Sequence, residues 1–227
     1  LCVPLTAQGD IIGLLSFKDL AGDGDAIREA QLYLELIAEN VALAVANLQL
    51  RDRLTQLAVR DALTGLLNRR SLDQDLSERG RDNTIAPLTC LMIDIDHFKR
   101  FNDEFGHDAG DMVMQSFAGV LTETVGNRGS CYRFGGEEFA VLLPAISRNE
   151  AIEIADRIRK KTAKTTMTHR GTVLAPVTVS IGIAATPKGG SVATLRTRAD
   201  VALLAAKEAG RDRTVYESGR DQQQATG

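Results

Sequence analysis

The run "PLTCLMIDID", residues 87–96, restricts what this chain can fold into more than any other stretch. It is short, largely apolar and entered from a proline, which suits a strand in the middle of a sheet. It ends in carboxylates, and a carboxylate at the end of a buried strand is costly unless a cation or hydrogen bonds compensate it. Around it, from Asp61 onward, helix and strand patterns alternate as in a compact α/β domain. "DALTGLLNRRSLDQDLSERG" reads as a helix start and a helix, with Asp61 as its cap. "DMVMQSFAGVLTETV" is an amphipathic helix, and "SCYRFGGEEFAVLLP" a hairpin. "SRNEAIEIADRIRKKTA" is a second amphipathic helix, with Ser147 and Glu150 spaced as a capping box. "APVTVSIGIAATP" is another strand, and "TLRTRADVALLAAKEAG" a last helix with Gly210 as its C′ residue. The polar tail after Tyr216 is expected to be disordered.

Ahead of this domain lie two other regions. Residues 1–22 read as two short strands, "LCVPL" and "IIGLLSF", joined at Gln8-Gly9-Asp10. One hairpin is marginal in water, so it reads as the end of a larger domain. A helix without proline or glycine is expected from about Asp25 to Val59. One apolar seam runs through Ile27, Leu34, Val41 and Leu48, with Ala30, Ile37 and Ala44 between. A second runs through Leu36, Leu43, Leu50 and Leu57, with Asn40, Asn47 and Leu54 between. Two seams predict packing on both sides of the helix; the alternative is burial of one face against the hairpin's domain. The resulting division is 1–22, a linker helix 23–60, an α/β domain 61–217 and a tail 218–227.

The totals narrow the function. A net charge of −3 argues against a general nucleic-acid-binding surface. The three cysteines, Cys2, Cys90 and Cys131, have no metal-type spacing and read as reduced thiols of a cytoplasmic protein. No signal peptide is evident, and no apolar run approaches the ~20 residues that span a bilayer. The chain opens at Leu1, so it reads as a fragment, and membrane segments upstream remain open.

The chemistry gathers at the strand end and the hairpin tip. Alternation puts Asp94 and Asp96 on one face, with Ile95 opposite. If this strand pairs with the hairpin, Asp94 and Glu137 can converge on one divalent ion. Oxygen ligands without a Cys or His cluster favour Mg²⁺ or Mn²⁺ over zinc. Lys99, Lys207 and Arg211 can bind phosphate oxygens, the last two being spaced one helical turn apart. Spacing alone leaves two readings: a Mg²⁺-dependent nucleoside triphosphate site, or a solvated acidic rim with a basic helix end. Asp96 can equally be a structural hydrogen-bond partner, and Arg69 and Arg70 receive no role.

"RFGGEEF", taken with "DALTGLLNRR", "DIDHFKRFND", "FGHDAGD", "VSIGIA" and "AKEAGRDR", resembles the GGDEF family of diguanylate cyclases over roughly 155 residues. The resemblance implies an α/β (α+β) fold: a ferredoxin-like nucleotidyl-cyclase palm. It implies condensation of two GTP into cyclic di-GMP with release of two pyrophosphates, by a homodimer. By position, Asp94, Glu137 and the Ile95 carbonyl would ligate Mg²⁺ or Mn²⁺, with two ions per site plausible. Glu137 would deprotonate the attacking 3′-hydroxyl, and Glu138 would support the metal site. Lys99, Lys207 and Arg211 would hold the triphosphate, Asn102 and Asp111 would read guanine, and His107 falls at a further substrate contact. Gly135 and Gly136 would keep the hairpin clear of the phosphates. Two positions depart from the family's habit: Leu204 stands where tyrosine is common, and Asp212 where asparagine is common. The family's inhibitory product site, an Arg-x-x-Asp, would fall on Gly126 and Gly129, so its primary residues are absent; Arg157 matches only a secondary arginine. The N-terminal piece resembles the last strands of a GAF sensory domain. The alternative function is a catalytically silent GTP-binding signalling module.

Overall fold

The computed structural model describes residues 2–7, 10–16, 24–81, 87–187 and 191–217. The chain divides into two compact units, Leu1–Ala58 and Val59–Gly227.

In the first unit, β1 (Cys2–Ala7) and β2 (Asp10–Ser16) pair antiparallel, and α1 (Gly24–Val59) follows. Val3 and Leu5, two apart on β1, share a buried cluster with Ala38 and Ala42; Ile12, Leu15, Leu34 and Val41 pack around it. Positions 34, 38, 41 and 42 form one stripe of a helix, and its alanines allow close approach. The two expected seams are therefore not equivalent. Leu34 and Val41 of the first pack against the hairpin, whereas Ile37 and Leu48 of the same seam are exposed. Leu36 and Leu43 of the second seam are also exposed, with Leu32 and Tyr33 beside them. Asn40 donates to the Leu36 carbonyl of its own helix. The side chains of Ile27, Ala30, Leu50, Leu54 and Leu57, the turn at Gln8-Gly9 and the tail 218–227 lie outside the described residues.

The second unit is built on one six-stranded sheet. Its elements are β3 (Leu67–Asn68), α2 (Arg69–Arg81), β4 (Leu88–Ile95), α3 (Phe98–Phe105), α4 (His107–Val125), β5 (Ser130–Gly135) and β6 (Glu138–Pro144). There follow α5 (Arg148–Lys164), a two-residue ribbon of β7 (Thr168–His169) and β8 (Thr172–Val173), β9 (Val179–Thr186), α6 (Leu195–Glu208) and β10 (Thr214–Tyr216). The sheet order is β10-β9-β4-β6-β5-β3, with β4 antiparallel to both neighbours. From β4 to β9 this is a βαββαβ unit with the first strand inside, the ferredoxin-like arrangement.

Every residue of β4 is buried, as its apolar run requires. Alternation splits it between two cores. Leu91, Ile93 and Ile95 join Val113, Phe117 and Leu121 of α4 and Ile154 and Ile158 of α5. Leu88, Cys90 and Met92 join Leu72 of α2 and Leu195, Ala199 and Leu203 of α6. Asp94 therefore points to the α6 side. Burial pushes the Cys90 and Cys131 thiols up to about 12, so neither offers a thiolate.

The capping box is present: Ser147 Oγ accepts from the Glu150 N–H and the Glu150 carboxylate from the Ser147 N–H. Three local readings need correction. Asp61 does not cap a helix; it closes a turn, its Oδ1 accepting from the Thr64 N–H (2.9 Å) and hydroxyl (2.7 Å). Gly65 at φ 70° ends that turn, and the helix starts only at Arg69, where Asn68 Oδ1 accepts from the Ser71 N–H. The segment after β4 forms α3, which the periodicity had not signalled. Lys207 and Arg211 are not one helical turn apart, because α6 ends at Glu208 and Arg211 lies beyond Gly210 with φ 61°.

Candidate active site at the end of the central strand

The β4–β6 register sets Asp94 opposite Glu138, with Ser180 of β9 on its other side. Glu137 stands at the tip of the β5–β6 hairpin, and its carbonyl accepts from the Ile95 N–H at 3.3 Å. Gly136 turns the tip with φ 35°, and a Cβ there would meet nothing within 4 Å, so the approach to the carboxylates is open.

Asp94 is only 6% exposed, and Lys207 Nζ reaches its Oδ2 at 2.7 Å. Burial raises the Asp94 carboxyl above its ordinary range despite Lys207. Burial, then the charge of Asp94, raises Glu137 and Glu138 likewise. Three carboxylates crowded around one lysine is a strained charge arrangement, and clustered perturbed acids are what functional sites contain. Asp96, next but one to Asp94, is fully engaged instead. It accepts from Thr178 Oγ1 (2.7 Å), Ser180 Oγ (2.7 Å) and the Asp212 N–H (3.0 Å), the structural role that spacing had left open.

Among the described residues no three His, Cys, Asp or Glu side chains are grouped closely enough to hold a metal ion by themselves. The donor set nonetheless fits a hard divalent cation. Asp94, Glu137 and Glu138 offer only oxygen, the donor a hard cation prefers, and burial, then mutual repulsion, lifts each carboxyl above its ordinary range, so a cation there would favour the ionised form.

The remaining expected residues lie on neighbouring elements. Lys99 is exposed in the first turn of α3. Asn102 sits mid-α3, and its Oδ1 is buried without a partner. Such an orphan acceptor calls for a ligand or water. Gly110 makes room for it, since a Cβ there would lie 1.9 Å from Asn102 Oδ1. His107 and Asp111 are exposed in the opening turns of α4, beyond the break at Gly106 with φ 85°. Arg211 is exposed after α6, and its charge acts on Asp94. Away from this group, Arg157 is exposed on α5, while Gly126 and Gly129 bracket the 3₁₀ turn that follows α4.

Two features were missed by sequence reading. Arg133 donates to both oxygens of Asp61 (3.0 and 3.1 Å) and through Nε and Nη2 to the Gly136 carbonyl (3.2 and 2.9 Å). It ties the hairpin tip to the first turn of the domain, and the Thr64 and Arg133 bonds outweigh burial to hold Asp61 below the usual carboxylate range. The only local signal was an arginine two places before Gly135. Arg69, left without a role, lies over the Phe134 ring at 4.6 Å, with Arg196 also at that ring at 5.0 Å.

A ferredoxin-like palm with acidic residues at the end of its central strand defines the class of nucleotidyl-cyclase domains. Comparison with known proteins narrows this: the family model described as diguanylate cyclase, GGDEF domain, matches residues 58–213, and the chain belongs to that family. The chain is 43% identical over 140 residues to diguanylate cyclase DgcP of Pseudomonas aeruginosa, covering 62% of this chain and 20% of that protein. It is 33% identical over 220 residues to diguanylate cyclase A of Treponema denticola, covering 94% of this chain and 58% of that one. It thus spans less than two thirds of either relative. Among solved structures, the coiled coil and GGDEF domain of DgcB from Caulobacter crescentus, in complex with c-di-GMP, superposes with a TM-score of 0.72. That match is at 30% identity and covers 83% of this chain and 98% of that one. Among the described residues no helix is long and apolar enough to cross a membrane.

Proposed function

We propose that this protein is an active diguanylate cyclase that joins two GTP into cyclic di-GMP and two pyrophosphates, with Mg²⁺ or Mn²⁺ held by Asp94, Glu137 and the Ile95 carbonyl. The observation that carries the reading is the register of Asp94 against Glu138, with Glu137 at the open tip and all three carboxyls raised. In each half-reaction the 3′-oxygen of one GTP bonds to the α-phosphorus of the other, and the bond from that phosphorus to the bridging oxygen of pyrophosphate breaks. Glu137 takes the hydroxyl proton, and burial and the Asp94 charge, by holding its carboxyl above the ordinary range, make its carboxylate a stronger base. The cation, when bound, neutralises charge developing on the phosphate. Glu138 supports that site; Lys99, Lys207 and Arg211 hold the triphosphate. Asn102 and Asp111 bind the guanine edge, Asp111 accepting from N1–H and N2–H, a donor pair adenine lacks. His107 contacts the substrate at the mouth, and Gly135 and Gly136 leave space for phosphate. Incubation with GTP and Mg²⁺ followed by mass spectrometry should show cyclic di-GMP; its absence would overturn the activity.

Metal binding has a signature independent of turnover. The three raised carboxyls favour the protonated form, so the metal-free domain gains stability below the ordinary carboxylate range and loses it as pH rises through the raised one. A divalent cation compensates the ionised form. Saturating Mg²⁺ should therefore raise the melting temperature more near pH 8 than near pH 5. An equal shift at both would refute these ligands.

One domain holds one GTP in this reading, so two copies must face each other. The exposed stripe of Leu32, Leu36 and Leu43 on α1 suits helix pairing between copies. Light scattering should report a dimer; a monomer that keeps full activity on dilution counts against it. Residues 1–22 are read as the end of a GAF-like sensory domain that regulates the cyclase. A longer chain whose structure lacks a GAF-like sheet around β1 and β2 would remove that reading. GTP supply places the reaction in the cytoplasm; fractionation finding this domain elsewhere would contradict it.

Product inhibition should be weak. Arg128 is committed to capping α4, donating to the Thr124 and Val125 carbonyls. A Cβ at Gly129 would lie 2.2 Å from the Leu142 carbonyl oxygen, so an aspartate there requires the backbone to move. Initial rates should hold against micromolar cyclic di-GMP, and combining Gly126→Arg with Gly129→Asp should not install inhibition. Strong non-competitive inhibition of the unaltered chain would contradict this.

A further inference from the structure

We propose that Arg159 and Asp212 are positioning residues for substrate binding: their ion pair holds the turn after α6 in the conformation that presents Arg211 to the triphosphate. The inference rests on the reading of Arg211 as a phosphate ligand and explains why that residue can be one from outside the helix.

The backbone of this turn is unusual. Gly210, Arg211 and Asp212 have φ of 111°, 61° and 43° in succession. Glycine accepts this freely, but two consecutive side-chain-bearing residues in the left-handed region persist only where their surroundings over-determine them. Here they do. The Arg211 N–H donates to the Ala206 carbonyl (3.1 Å), and the Asp212 N–H to Asp96 Oδ2 (3.0 Å). The Ile181 N–H donates to the Arg213 carbonyl (2.9 Å), joining the turn to β9.

Two further side-chain anchors come from α5. Arg159 Nη1 donates to Asp212 Oδ1 at 2.9 Å, across 53 residues of sequence. One helical turn earlier on the same helix, Asp156 accepts from Thr214 Oγ1 (3.1 Å) and stands 3.6 Å from Arg159 Nε. α5 thus grips the turn on both sides of Arg213, while the neighbouring Arg211 projects into solvent within electrostatic reach of Asp94. Arg159 is largely buried and Asp212 half-exposed, so the pair is shielded on one side and removing either partner leaves a partly desolvated charge without its answer. Asparagine and aspartate are both tolerated in the left-handed region more readily than other side chains; aspartate here adds a charge that Arg159 answers.

The test is a double-mutant cycle on the whole chain, measuring affinity for 3′-deoxyguanosine triphosphate with Mg²⁺ by calorimetry, so that no turnover occurs. Arg159→Met should weaken binding about tenfold, as should Asp212→Ala from the other end of the pair, while Asp212→Asn keeps most of the affinity. Arg159→Met in the Arg211→Ala background should cost nothing further. With GTP, the variant should show a raised KM and a kcat within about threefold of the parent, which loss of stability alone would not produce. Unchanged affinity in Arg159→Met, or losses that multiply with Arg211→Ala, would overturn the positioning role. Unchanged affinity in Arg211→Ala would instead overturn the phosphate assignment on which it rests.

Discussion

Glu137→Gln should abolish cyclic di-GMP synthesis, with a loss of at least ~10³-fold, because one substitution removes both a charge of the proposed metal site and the proposed base. The fold should survive. Glu137 is half-buried at a hairpin tip whose geometry depends on Gly136, Arg133 and the backbone bond to Ile95. Burial and Asp94 disfavour the Glu137 anion, so a neutral amide relieves repulsion and the melting temperature of the metal-free variant should not fall. The extra stabilisation by Mg²⁺ should shrink in parallel. Turnover within tenfold of the parent, or an undiminished Mg²⁺ response, would remove Glu137 from both roles.

Gly182→Ala is expected to be the most damaging single methyl in the catalytic domain. Gly182 lies in β9 opposite Met92, and α6 crosses directly over it. A Cβ at this site would stand 2.1 Å from Leu203 N, 2.2 Å from the Ala199 carbonyl oxygen and 2.7 Å from the Ala202 carbonyl carbon. These are backbone atoms, so no rotamer change can make room and the helix itself must shift. Overpacking of this kind should cost at least ~3 kcal/mol, about 6–12 °C in melting temperature. Because α6 carries Lys207, the displacement should also loosen its 2.7 Å contact with Asp94 and lower activity in the molecules that remain folded. Gly119 supplies the control. It lies in α4 with nothing within 4 Å of an added Cβ, so Gly119→Ala should stabilise by ~0.5–1 kcal/mol. Urea denaturation of the two variants checks both signs; a Gly182→Ala loss under ~1 kcal/mol would mean the helix–strand contact yields more readily than its geometry implies.

What could be read in advance divides along a physical line. The buried run of β4, the hairpin around Gly135 and Gly136, the Ser147–Glu150 box and the periodic faces of α4, α5 and α6 rest on neighbours a few residues apart. Amino-acid spacing therefore reports them. The acidic strand end and hairpin tip could likewise be recognised, because carboxylates beside apolar strands are conspicuous by their desolvation cost.

Other features depended on contacts between distant segments. Asp61 was read as a helix cap because its local pattern allows one, but Arg133, 72 residues away, and the Gly65 turn decide its role. Strand register alone made Glu138, rather than Glu137, the residue opposite Asp94. Of the two apolar seams on α1, the stripe that packs is chosen by where β1 presents Val3 and Leu5. Most helices and strands of the sheet, and the acidic character of the site, were legible in the chain alone, since local propensity and side-chain period act within a few residues; the palm was legible only through the resemblance of its motifs to the family. Which charges meet, why Gly182 must be glycine and how Arg211 is held came from the folded chain. Those depend on helix crossings and strand register, which bring together atoms that no short stretch of chain contains.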